Sequence, residues 1–315
     1  MSRRAILPES LRGTPFSVQE ALELGIPPGR LRAKDLTRPF RAARVGSGDP
    51  GEKGGRASSR SQSAALDETL ELCRAYVPIM REDQLFSHLT AARLYGFPLP
   101  SRRQHGDQLD VWAEAVQVKT AGIVGHRSSP VRSWRHLDLA VVEPVVALVQ
   151  LASVLQRDDL ILIGDYLLRQ KRPLCTPDEL IQAVGRAKGV RGIRRLRLAL
   201  EDIRPGTDSP METITRILLT RGGLPEPTIH HTIFDDAGSF IGTPDLAYVN
   251  EKIAIEYEGE DHRTDRAVFA EDIERRELMQ EAGWYVIRVI SDHVYRYPVW
   301  LVERVRRKLV ERRPV

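Results

Sequence analysis

Cysteine is scarce in this chain, with Cys73 and Cys175 the two among 315 residues. That excludes a disulfide framework and a zinc knuckle, each of which needs a second pair, and it leaves both thiols reduced and structural. Long apolar runs are missing as well. No stretch reaches the ~18 apolar residues of a membrane span, and the start MSRRAILPESLRG has no apolar signal core. Neither membrane insertion nor secretion is expected, and a cytoplasmic location is. A glycine-rich phosphate loop and a nucleophile elbow are also lacking, which removes support for a sugar- or nucleotide-processing enzyme and for a small organic cofactor.

What is present is a chain too long for one ordinary core, with 42% hydrophobic and 29% charged residues, the composition of a soluble protein of two or three domains. The expected class is α/β, more fully an α+β multidomain chain. Arginine outnumbers lysine 40 to 7, which suits phosphate recognition. The net charge of +4 is unevenly spread: residues 1–44 hold nine basic against four acidic side chains. Within them Ser17 and Glu20 have capping-box spacing ahead of a helical run closed by Gly25. Arg30–Leu36 reads as a second short helix and Arg38–Val45 as a basic strand.

That order, helix, turn, basic helix and basic strand, is that of a small winged helix-turn-helix, here over residues 1–45. It resembles the N-terminal domain of abortive-infection-type antitoxin regulators, and it makes Arg30, Arg32, Lys34, Arg38 and Arg41 the candidate DNA contacts. Residues 46–63 have one apolar side chain, Ala57, and read as a flexible linker. Residues 64–205 read as a mixed α/β middle domain, with helices expected at 64–76, 82–95, 143–155, 159–170, 177–187 and 189–203 and strands at 108–118 and 121–127. Its HLTAARLYGFPLP and LILIGDYLLR also resemble that antitoxin-like class. His88 and His126 read as structural histidines.

The chemistry concentrates in GTPDLAYVNEKIAIEYEGEDH, residues 242–262. Two runs alternate with the period of two of half-buried strands, and Asn250-Glu251 supplies a turn. A two-residue loop sets Val249 opposite Lys252, Ala247 opposite Ala254 and Asp245 opposite Glu256, with Glu258 on the same face. Like charges so placed are destabilising without a counter-charge or a cation, and a hard ion such as Mg²⁺ (or Mn²⁺) takes these oxygen ligands. Upstream, Ser209-Pro210-Met211-Glu212 opens a helix with Glu212 as its capping-box acid.

Residues 206–315 thus read α-β-β-β-α-β-α, which resembles the restriction-endonuclease-like PD-(D/E)xK nuclease core. Pro244-Asp245 matches its PD, Glu256-Tyr257-Glu258 stands at (D/E)xK, and Glu212 at the helical acid. Glu256 to His262, then Asp272, Arg275 and Arg276, then Gly283-Trp284, look most like the branch related to very-short-patch-repair endonucleases. The resemblance implies a Mg²⁺-dependent DNA endonuclease with Asp245, Glu256 and Glu258 as metal ligands. It further implies His262 as general acid or base and Asp272, Arg275 and Arg276 at the phosphate. Glu258 replaces the motif lysine, and the zinc ligands of a mismatch-repair homologue are absent, so T:G repair is not expected. The rival reading is a DNA-binding regulator or antitoxin-like protein with a degenerate nuclease module. The expected partner is DNA, with a homodimer left open.

Overall fold

The computed structural model describes residues 6–46, 62–114, 117–128, 131–259 and 266–314, the side chains at 62 and 266–273 excepted. Most of the expected linker, residues 47–61, lies outside them. The chain is mixed α and β, as expected, and parts into two compact units: Met1–Asp159 with Gln182–Arg194, and Leu160–Ile181 with Arg195–Val315. Residues 160–181 and 195–205 therefore group with the C-terminal residues rather than ending a middle domain at 205.

The first unit opens with β1 (Pro15–Ser17), α1 (Val18–Glu23), β2 (Leu36–Thr37) and β3 (Ala43–Gly46), the strands forming one sheet in the order β1-β3-β2. Ser17 caps α1 as expected: its Oγ accepts from Glu20 N–H at 3.0 Å while Glu20 accepts from Ser17 N–H at 3.4 Å. The expected helix over 30–36 does not form. Arg30–Arg32 make a single 3-10 turn, because Asp35 accepts two hydrogen bonds from the Arg30 guanidinium, at 3.0 and 2.8 Å, and folds the segment back on itself.

Next come α2 (Gln62–Tyr76), β4 (Gln84–Phe86), α3 (His88–Leu94), α4 (Ser101–Gln104), β5 (Leu109–Ala113), β6 (Ile123–His126), β7 (Ser133–His136), β8 (Leu139–Val142) and α5 (Pro144–Leu151). Their five strands form a mixed sheet in the order β6-β5-β4-β8-β7. The helix expected over 82–95 is split, since Gln84–Phe86 is a fully buried strand and His88, at φ +47°, starts the helix. The β7–β8 hairpin carries no sequence signal. Its two-residue turn, Leu137-Asp138, has φ of +50° and +62° without glycine or asparagine.

His88 and His126 stack at 3.5 Å between ring centroids, and His126 Nε2 lies 2.7 Å from Asp110 Oδ1. Burial, followed by the neighbouring His126, pushes the His88 pKa down to about 4.

Three helices, α6 (Arg157–Leu167), α7 (Pro177–Arg186) and α8 (Ile193–Leu200), precede α9 (Pro210–Arg221). Then follow β9 (Thr228–Ile229), β10 (Ile233–Phe234), β11 (Phe240–Gly242), β12 (Leu246–Tyr248), β13 (Ile253–Tyr257), α10 (Arg266–Glu281), β14 (Tyr285–Val289), α11 (Ser291–Tyr295) and α12 (Pro298–Glu311). The main sheet runs β14-β13-β12-β9, with β13 and β14 parallel and the other pairs antiparallel. β12 pairs with β13 through Leu246↔Ile255, Ala247↔Ala254 and Tyr248↔Ile253, the expected register.

Because successive side chains alternate, the sheet has two apolar faces. Leu246, Tyr248, Ile253 and Ile255 pack with Leu219 of α9 and Leu301 and Val305 of α12. Ala247 and Ala254 pack with Met279 of α10 and Trp284. Small residues on that second face let α10 come close: a Cβ at Gly242 would stand 2.7 Å from Met279 Cε and 3.0 Å from Arg275 Cδ.

α9 is anchored by a buried ion pair. Asp165, fully buried, accepts from Arg216 Nη2 at 2.9 Å, from Thr213 Oγ1 at 2.9 Å and from Arg204 N–H at 2.8 Å. Arg216, 1% exposed, also donates to Glu226 Oε1 and to Asp202 O. This network ties residues 160–181 and 195–205 to the C-terminal module.

Removing one member of such a pair leaves a buried charge unmatched, so Arg216→Met is expected to lower unfolding free energy by about 3–5 kcal/mol in urea titrations. For His88, the unfolded chain takes up a proton near its ordinary pKa of about 6.5 while the folded chain resists until about 4. Its contribution is therefore intact above pH ~6.5 and lost on the way down to 4, by about 3 kcal/mol. His88→Asn, which tolerates the positive φ, should flatten this part of the pH–stability curve; an unchanged curve would refute the assignment.

Candidate functional site

Four carboxylates gather at one end of the main sheet, where β12 begins and β13 ends. Glu212 comes from the first turn of α9, held by Ser209 Oγ, which accepts from Glu212 N–H at 3.2 Å. Its own Oε2 accepts from Asp208 N–H at 2.9 Å. The helical cap thus also aims the side chain. Asp245 stands between β11 and β12, and its Oδ2 accepts from Tyr257 N–H at 2.7 Å, across the hairpin. Glu256 and Glu258 come from the end of β13 and just beyond it.

The structure divides these acids by their partners. Glu256, 6% exposed, lies 3.1 Å from Arg275 Nη2 and 3.6 Å from Arg276 Nε. Glu258 lies 3.1 Å from Arg276 Nη2 and is also paired with Arg288. Arg288 reaches it because β13 and β14 are parallel with Glu256 opposite Arg288. Glu212 and Asp245 instead face His230. Its Nε2 is 3.1 Å from Glu212 Oε2, its Nδ1 is 2.8 Å from Gln170 Oε1, and its backbone N–H donates to the Asp245 backbone carbonyl at 3.1 Å. One ligand atom from each of Glu212, His230 and Asp245 falls within 4.8 Å of the others.

The expected metal trio of Asp245, Glu256 and Glu258 is therefore redistributed. Asp245 keeps its place, Glu212 joins it, and His230, read from the sequence as the start of one strand over 230–234, completes the set. It does so because φ of +47° at His230 breaks that strand between β9 and β10 and turns the imidazole to the acids. Glu256 and Glu258 are drawn to guanidinium groups. Among the described residues, Glu256 Oε1 has the Arg275 guanidinium close by but no well-aligned hydrogen bond. Arg275 and Arg276 do lie beside the acids, on α10. His262 lies outside the described residues, as does the side chain of Asp272, whose backbone is within α10.

Sequence reasoning missed His230 and Arg288. Neither stands at motif spacing: His230 is 18 residues from Glu212 and 15 from Asp245, and Arg288 depends on a parallel pairing that no local pattern encodes. The doublet His230-His231 just before a β-prone run was the available sign.

Electrostatics follow from this crowding. Burial, then the charges of Glu212 and Glu256, push the Asp245 carboxyl up to about 6, against the Tyr257 hydrogen bond and His230. The Glu212 hydrogen bond raises the His230 pKa, against burial. Two carboxylates and an imidazole can share protons among themselves, or give them up to a divalent cation. The donor set fits such an ion: carboxylates suit Mg²⁺ and Mn²⁺, and the imidazole weights the set toward Mn²⁺ and its heavier neighbours.

The chain is similar to two proteins of Mycobacterium tuberculosis, "Uncharacterized protein MT2308" of strain CDC 1551 / Oshkosh and "Uncharacterized protein Rv2248" of strain H37Rv. Each is 28% identical over 221 residues, covering 70% of this chain and 79% of the relative. No family model and no solved structure matches. Among the described residues no helix is long and apolar enough to cross a membrane.

A carboxyl whose pKa is raised favours the fold when protonated, so its contribution is present below the ordinary value of about 4 and lost as pH rises through 6. Asp245→Asn, which keeps the acceptor for Tyr257 N–H, should therefore stabilise the protein by about 3 kcal/mol at pH 8 and by almost nothing at pH 4. Paired urea titrations at the two pH values check this, and equal effects at both would contradict the placement of Asp245.

Proposed function

We propose that the C-terminal unit is a DNA endonuclease of the PD-(D/E)xK kind that hydrolyses phosphodiester bonds with a divalent cation held by Glu212, His230 and Asp245. The observation that carries this reading is the convergence of a helix-borne acid and a strand-borne acid, 33 residues apart in the chain, on one imidazole within 4.8 Å. The run from α9 through β9, β12 and β13 to α10 and β14 supports it, because its strand pairing fits an αβββαβ core. A bound Mg²⁺ or Mn²⁺ would lower the pKa of water and neutralise phosphate charge. The protein's own groups do the rest. Asp245 is oriented by Tyr257 N–H, and Glu212 by Asp208 N–H. Arg275 and Arg276 present guanidinium groups for bidentate contact with phosphate, and their hold on Glu256 and Glu258 keeps them at the site until a phosphate competes.

A second reading keeps the chain as a DNA-binding regulator. The pairing of Glu256 and Glu258 with three arginines favours it, since a decayed metal site would relax in this way. In either reading the N-terminal segment offers exposed Arg32, Lys34, Arg38 and Arg41 to DNA, from the 3-10 turn and the loops around the strands rather than from a second helix. Arg30 is less available, tied to Asp35. The two free cysteines agree with work in the cytoplasm.

Purified protein incubated with plasmid DNA separates the two readings. Cleavage is expected with Mg²⁺ or Mn²⁺ and none with EDTA. Glu212→Gln and Asp245→Asn should each reduce the rate about a hundredfold, the equivalent of roughly 3 kcal/mol of lost stabilisation. Glu258→Gln should do less, since its partners are arginines. Full activity in Asp245→Asn, or cleavage undiminished by EDTA, would defeat the hydrolase reading.

A further inference from the structure

The C-terminal helices leave a group of aromatic side chains in solvent. Tyr295 is 64% exposed, Tyr297 58% and Trp300 45%. They follow β14 directly, across α11, the link and the first turn of α12. The opposite side of α12 accounts for why they do not simply fold inward: Leu301, Val302 and Val305 fill the core contact, so Trp300 is placed on the outer face by the helical period. His293 stands against Trp300 at 4.8 Å between centroids, and the Arg304 guanidinium lies over the same ring at 5.2 Å. Arg307 is exposed one turn further along that face, and the Arg296 side chain is 71% exposed beside Asp292.

This surface adjoins the acidic site. Tyr295 Oη donates to Met211 Sδ at 3.5 Å, and Met211 is the residue before Glu212. Ser291, the first residue of α11, is two residues beyond Val289, whose carbonyl accepts from Glu258 N–H at 2.7 Å. Flat rings, exposed and spaced from the end of α11 through the link to the first turn of α12, with guanidinium groups among them, match the requirements of unpaired bases and their phosphates. Base faces stack on aromatic rings, and arginine meets the backbone charge. A duplex hides its base faces inside the stack, so it cannot use the rings in this way.

We propose that Tyr295, Tyr297 and Trp300, with Arg296, Arg304 and Arg307, form a stacking platform for a single-stranded DNA segment that flanks the phosphate at the acidic site. The proposal rests on the nuclease reading for its second half only; the platform binds a strand whether or not the site cuts it.

The test uses the full chain in EDTA, where chemistry is off, and follows the anisotropy of a fluorescein-labelled oligothymidylate. Trp300→Ala and Tyr297→Ala should each weaken binding about tenfold or more, and Trp300→Phe should restore most of it. An abasic strand of equal length and a blunt duplex should bind more weakly and be insensitive to Trp300→Ala. An oligouridylate arm distinguishes RNA from DNA as the strand; tighter binding to RNA would overturn the choice of DNA. Wild-type affinity in both alanine variants, or equal affinity for the abasic strand, would overturn the platform. So would a dimer in sedimentation that Trp300→Ala dissociates with no loss of oligonucleotide binding, since a second copy would then be the occupant. A wild type that binds the strand through these rings but cleaves nothing would remove the nuclease reading and leave the platform standing.

Discussion

Acids crowded at one end of a sheet repel each other, and the second unit is arranged around the need to compensate them. Each of Glu212, Asp245, Glu256 and Glu258 would by itself be a routine surface carboxylate. Brought together and partly buried, they need counter-charge, protons or a cation. The fold supplies the first from α10 and β14: Arg275, Arg276 and Arg288 take Glu256 and Glu258. It supplies the second through His230, whose proton Glu212 holds. Asp245 is left between these groups with a raised pKa, a carboxyl shifted toward neutrality in the way that functional sites often require.

The pair of Asp165 and Arg216 governs where this crowding happens. α9 carries Glu212 at its N-terminus and Thr213 and Arg216 on its buried side, so the network that fixes the helix also fixes the acid. A buried ion pair is weak as net stabilisation, because desolvation offsets much of the attraction. Its value here is positional. Three donors on Asp165 and four hydrogen bonds from Thr213 and Arg216 admit one placement of α9 against α6.

Much of the C-terminal unit was legible because its rules are local. The β12–β13 hairpin follows from strict alternation and a two-residue loop, and a slip of one residue would have turned Leu246 and Ile255 out of the core. The caps of α1 and α9 follow from Ser17-Glu20 and Ser209-Glu212. Where the local rules failed, a short-range ion pair or an uncommon positive φ was responsible. Asp35 captures Arg30 and prevents a helix over 30–36. Leu137-Asp138 makes a hairpin turn with residues that seldom adopt positive φ. The left-handed backbone at His88 divides what reads as one helix into a strand and a shorter helix.

The sequence by itself determined that three acids, Asp245, Glu256 and Glu258, lie on one side of a β-hairpin and that a capped helix carries a fourth. Periodicity and capping need only neighbours a few residues away. Which acids keep an imidazole and which surrender to arginine was decided by tertiary structure, through the parallel pairing of β13 with β14 and the break in backbone direction at His230. Partner choice depends on distances between segments that no residue pattern records.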